Sequence, residues 1–321
     1  MVGVTGVARW LRLRLLRIDR AAVECCRRGF VVDSAAVRAR LEAAGQAFLD
    51  GYHAALASTG VGGIPLALAP VPPIMRGFAF EGAAMALALC DLLTLGRWRR
   101  LRAFLTGPAS AHTYMVHVGV GWALARCRRH VAIAMPAFDK LLSWLVVDGY
   151  GFHEGYFHWS HYLREQYLPR HLRDYEVRAF DQGLGRSLWF VAGAGVDRVR
   201  ATIASFPEER RGDLWSGVGL ACAYAGGADQ SCLEMLRRAS GGYAPMLGQG
   251  AAFAAKARDK AGNPAPHTAK ACLVLCGMRA EEAAALTDRA LALVPAEDCE
   301  EPRYERWRRE IRRQLAIEAA A

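Results

Sequence analysis

The sequence has no convincing alternation of apolar and polar residues at period two. Val31 to Val37 comes nearest and is too short to form a strand of consequence, so a sheet is excluded as the organising element. Nor does it have a CxxC pair. Its nine cysteines are odd in number, and Cys272 and Cys276, four apart, have no second pair to complete a zinc site. They read as small buried hydrophobes in a reducing cytoplasm. GxSxG, P-loop and HExxH motifs are all missing. The pairs Gly119-Val120-Gly121 and Gly217-Val218-Gly219 lack a preceding strand and a third glycine, which argues against nucleotide binding. No cofactor is expected.

Long apolar runs are scarce too. The longest, 82–95, is broken by Asp91 and is too short to span a bilayer. The first twenty residues have no apolar core followed by a small-residue cleavage site, so no signal peptide is expected and the cytoplasm is the expected location. Arg9, Arg12, Arg14 and Arg17 alternate there with Trp10, Leu11, Leu13, Leu15 and Leu16. A basic helix with one face on the protein body is the preferred reading over one lying on a membrane. Acidic residues are outnumbered, 31 to 41, for a net charge of +10. The excess is arginine spread over the whole chain without a recognition motif, so no nucleic-acid partner is expected.

What the sequence does have is small and apolar. Hydrophobic residues make up 53% of its 321 positions, and glycine-led, alanine-rich runs recur. Examples are FAFEGAAMALAL, VHVGVGWALAR, GFHEGYFHW, FDQGLGRSLWF, LWSGVGLACAY and LGQGAAFAAKA, with a weaker FLDGYHAALA before them. Their leading glycines stand at 51, 82, 119, 155, 183, 217 and 250. A spacing of about 34 predicts stacked helical hairpins of tetratricopeptide or HEAT type. The glycine-led run would be the inner helix, and 97–105, 137–147, 196–206 and 231–240 are candidate second helices. The glycines at 82, 119 and 155 match those at 183, 217 and 250, which suggests an internal duplication.

The expected organisation is all-α and one continuous globular unit. Residues 1–76 hold N-terminal helices and a Gly/Pro-rich linker, 77–161 the first half, 178–258 the second, and 264–321 C-terminal helices.

The duplication acts as an internal control. His112, His117, His130, His153, His158 and His161 all lie in the first half and none in the second. His117 matches Trp215, His158 matches Phe253 and His161 matches Lys256, while Glu81 and Glu154 match Gln182 and Gln249. A site grafted onto one copy would look like this. Glu81, His117, His153, Glu154 and His158 are therefore the candidate acid–base groups. Glutamine at the matched positions favours the plainer role of a hydrogen bond near a helix start. Continued as one helix, Glu154, His158 and His161 would share a face at i, i+4 and i+7. A carboxylate with two imidazoles can bind a divalent metal, although this spacing matches no established signature and a solvated face is the commoner outcome. Tyr114, Trp122, Tyr150, Tyr156 and Trp159, with Gln182 and Gln249, are the candidate lining of an apolar small-molecule pocket.

The blocks RGFAFEGAAMALAL, YMVHVGVGWALAR, DGYGFHEGYF, DQGLGRSLWFV, GVGLACAYAGGA and QGAAFAAKAR resemble the UnbL family. This domain-of-unknown-function group is encoded in actinobacterial gene cassettes for enediyne polyketides, beside the iterative polyketide synthase. The resemblance spans roughly residues 28 to 315. It implies a pathway, the maturation of a polyene into an enediyne core, and carries no catalytic residues. The first expectation is an accessory protein that binds, and possibly processes, a linear polyene or polyketide. The alternative is a non-enzymatic scaffold holding the synthase or another cassette protein on a concave surface.

Overall fold

The computed structural model describes residues 12–94, 97–297 and 299–318, and among them every regular element is helical. The helices of two turns or more are α1 (Ala35–Ala57), α2 (Arg76–Leu93), α3 (Arg99–Thr106), α4 (Thr113–Arg126), α5 (Trp144–Phe157), α6 (Tyr175–Val191), α7 (Val196–Ser205), α8 (Glu208–Ala225), α9 (Gln230–Ser240), α10 (Ala244–Lys260), α11 (Pro266–Leu275), α12 (Ala280–Ala292) and α13 (Arg303–Glu318), with single α-turns at Cys25–Arg28 and Ile64–Ala67. Ser34 caps α1, its hydroxyl accepting from the Val37 N–H at 3.4 Å.

Two kinds of helix alternate along part of the chain. Helices α1, α2, α4, α5, α6, α8 and α10 pack side by side in chain order. Their central residues are buried nearly all round: Gly77 to Asp91 in α2 and Leu145 to Tyr156 in α5 without a break. The flanking helices α3, α7 and α9 bury one stripe each, such as Leu101 and Phe104 or Leu233 and Leu236. The expected second helix over 137–147 does not form. Residues 131–137 make two 3-10 turns around Pro136, and Phe138 is extended.

The buried helices approach through glycine. A Cβ on Gly149 would collide with the Val118 carbonyl of α4, and one on Gly151 with the Phe180 carbonyl of α6. Helices α6 and α8 repeat the scheme: the first glycine of Gly-x-Gly meets the preceding buried helix and the second meets the following one. The repeat glycine of α5 is therefore Gly149, not Gly155, which faces the side chains of Ser187 and Leu184.

The row of helices curls on itself. Arg40 of α1 donates to the Ala225 carbonyl at 2.7 Å, and Arg258 of α10 to the Ile74 carbonyl at 2.7 Å. Residues 58–75, too rich in Gly and Pro for a regular helix, cover this junction through buried Ile64, Leu68, Val71 and Met75. Near the amino terminus, residues 12–16 are helical, with Leu13 and Leu16 half-buried. Arg9, Trp10 and Leu11 lie outside the described residues. The stretch Pro73–Leu93 is long and apolar enough to cross a membrane, but 83% of its most apolar window is buried in the protein. Cys25, Cys90, Cys222, Cys272 and Cys276 are buried as expected, whereas Cys26 and Cys299 are exposed.

Candidate functional site

The sequence of α2 is apolar except for Arg76 at its first position, Glu81 and Asp91. Glu81 lines an apolar cavity between α1, α2, α4, α5 and α6, with Phe48, Met85, Trp122, Phe152 and Tyr156 around it. About 30 Å³ of free space remains inside, enough for a water molecule. Glu81 is 1% exposed, and neither carboxyl oxygen has a hydrogen-bond partner. Burial raises its pKa from 4.5 to about 8; Arg186 opposes the rise and Asp148 reinforces it. The carboxyl is therefore neutral at pH 7 and carries a proton it can donate. The nearby Trp122 indole lowers the value a little, yet its N–H makes no hydrogen bond of ordinary geometry.

Trp122 is the hub of the wall. Its ring lies 4.7 Å from Phe48, 5.0 Å from Phe152, 6.0 Å from Tyr156 and 5.6 Å from His153. Glu81, Trp122 and Tyr156 are thus brought to one cavity. His153 and Glu154 sit behind it as a pair, with Nδ1 to carboxylate at 3.1 Å. Burial lowers the His153 pKa. Burial would raise that of Glu154, but its hydrogen bond to His153 and the Tyr162 hydroxyl hold it below its ordinary value. A neutral imidazole therefore donates to a carboxylate.

The other candidates lie elsewhere. His117 donates through Nδ1 to the Thr113 carbonyl at 2.7 Å and packs on Phe138. Tyr150 packs on His171 and Phe180. The Trp159 indole donates to the Arg28 carbonyl and lines a surface groove. Tyr114 lines a second cavity. His158 is exposed, and its backbone leaves the helix with φ −128° and ψ 37°. α5 ends at Phe157, so Glu154, His158 and His161 do not share a helical face. His161 instead bonds Glu165 at 2.7 Å, and no group of metal-ligating side chains occurs among the described residues.

Gln182 and Gln249 belong to a buried polar column that sequence reasoning largely missed. Asp148 takes the Arg186 guanidinium and, at 2.7 Å, the Gln182 amide. Ser216 donates to the Gln249 carbonyl oxygen at 3.1 Å. Arg308 of α13 reaches Gln249 at 3.1 Å, Tyr175 at 3.1 Å, Asp213 at 2.8 Å and Glu305 at 3.1 Å. Each of Glu81, Asp148, Gln182, Ser216 and Gln249 immediately precedes a crossing glycine. That was the available signal, and taking Gly155 for Gly149 concealed Asp148.

A family model matches residues 7–315 and carries the description Protein of unknown function (DUF1702). The chain belongs to this family. No curated protein matches it, and no solved structure does.

Proposed function

We propose that this family member is an accessory protein of enediyne natural-product biosynthesis, of the UnbL kind, that binds a linear polyene or polyketide intermediate in the apolar cavity of α1, α2, α4, α5 and α6. One observation carries the reading: a buried carboxyl group with both oxygens unpartnered, walled by aromatic rings. A buried polar group without a partner is costly, and an apolar site with one polar group aimed into it is the usual form of a small-molecule pocket. Glu81 would hydrogen-bond an oxygen of the ligand or deliver a proton to it. The limited free space means that Phe157, half-buried at the rim, and neighbouring rings move when a polyene enters.

The scaffold alternative is less favoured because α13 already occupies Gln182 of α6 and Gln249 of α10 through Tyr304 and Arg308, while its Trp307 lines the second cavity. The test is Glu81→Met, which removes both the hydrogen bond and the proton, in a producing strain. The variant should accumulate as folded protein and abolish the product. Unchanged product titre would overturn the reading.

A further inference from the structure

A second apolar cavity, with about 40 Å³ free, lies on the far side of the polar column. Tyr114, Leu220, Ala257 and Trp307 line it, and Arg186 and Tyr224 form its inner end. The two cavities stand back to back. Phe78, a wall of the first, packs edge-on against Tyr224 at 5.2 Å, and Phe152, another wall of the first, carries the Arg186 guanidinium 4.5 Å from its ring centre. The Tyr224 hydroxyl occupies the space that a Cβ on Gly77 would need. Gly77 and Glu81 are four apart on α2, so this hydroxyl sits one turn from the Glu81 carboxyl on the same face. It is buried and unpartnered, like both Glu81 oxygens and the Trp122 indole N–H. Burial keeps the phenol protonated. Donors thus gather at the junction, and among these groups no ordinary hydrogen bond forms.

We infer that the two cavities are arms of one binding site, joined at a polar waist where Glu81 and Tyr224 donate to a single acceptor oxygen. The occupant is an elongated conjugated molecule with an in-chain carbonyl, one apolar limb in each arm. This rests on the reading that the Glu81 cavity is a ligand site. Two donors converging on one oxygen select for it, because the molecule lacking it leaves both unsatisfied.

The experiment uses the full chain and two probes: diphenylhexatriene, a linear hydrocarbon that fluoresces on leaving water, and dibenzylideneacetone, a conjugated ketone of similar shape with a central carbonyl. Wild type should bind one hydrocarbon per chain, and the ketone should displace it. Filling either arm, by Ala44→Leu in the first or Ala257→Trp in the second, should abolish binding of both. Met85→Phe replaces Ala44→Leu if the latter melts early. Tyr224→Phe and Glu81→Met, which remove the two donors, should each weaken the ketone by about tenfold and leave the hydrocarbon within about twofold. Two hydrocarbons per chain, or loss on filling one arm only, would overturn the joined site while leaving the Glu81 cavity as a ligand site. Equal effects on the two probes, or none, would mean that the waist holds structural water and overturn the two-donor contact. No binding by wild type would overturn this inference and the ligand reading together.

Discussion

Glu81 is an acid placed where only its neutral form is comfortable, and that has a thermodynamic signature. Its ordinary pKa is 4.5 and burial lifts it to about 8. Below pH 4.5 both folded and unfolded chains are protonated there. Between 4.5 and 8 the unfolded chain ionises while the folded one does not, so this group subtracts stability as pH rises, by up to about 1.4 kcal/mol per unit. Glutamine does not titrate. The stability difference between Glu81→Gln and wild type should therefore shift in favour of the variant from pH 5 to pH 8, as read from urea unfolding. A pH-independent difference would show that Glu81 is ionised or hydrated in the folded protein. Tyr224→Phe removes a hydroxyl with no partner, so the melting temperature should hold or rise. A loss of more than about 1 kcal/mol would reveal a hydrogen bond at that oxygen.

At the scale of the helix, carbonyl contacts decide what a glycine tolerates. Gly149 faces the backbone of Val118, which cannot step aside without parting α4 from α5, whereas Gly155 faces the Ser187 and Leu184 side chains. Gly149→Ala should therefore cost about 3 kcal/mol or more, and Gly155→Ala roughly 1 to 2, because a side chain can change rotamer. The reverse order in denaturant melts would restore Gly155 as the repeat position. This is also where legibility in the sequence ends. The all-α class was readable because glycine and alanine at helical spacing allow buried helices to touch, and α3, α7 and α9 fall within two residues of their expected bounds. Glu81, Trp122 and Tyr156 were readable as candidates, an acid and two aromatic residues in otherwise apolar helices, and the structure brings them to one cavity. The turns replacing a helix over 137–147 were not, because its apolar spacing is helical and Pro136 lies just before the expected start. The metal trio failed on a single residue: the break at His158 moves His161 off the face that Glu154 occupies.

Across the whole molecule, α13 ties together helices far apart in the chain through one guanidinium. Fully buried Arg308 serves Tyr175 of α6, Asp213 of α8 and Gln249 of α10, along with Glu305 on its own helix. Burial alone would raise the Glu305 pKa, but Arg308, Arg312 and Arg178 pull it down to about 2. A depressed carboxyl contributes stability that is fully present above its unfolded value of 4.5 and is lost as pH falls towards 2, the opposite sense to Glu81. Arg308→Met takes one cation from two buried carboxylates, leaving Asp213 with Arg178 and Glu305 with Arg178 and Arg312, and should cost about 2–3 kcal/mol at pH 7. Arg308→Lys should recover little of this, because one ammonium cannot reach all four partners. The deficit should shrink as the pH is lowered from 5 to 3, because the unfolded chain and the variant take up a proton at Glu305 there while the folded wild type, with this carboxyl held near 2, does not. Urea midpoints of wild type and variant across that interval measure it directly. A deficit that stayed constant would mean that α13 is held by the packing of Tyr304 and Trp307 alone, with the buried charges contributing nothing to its docking.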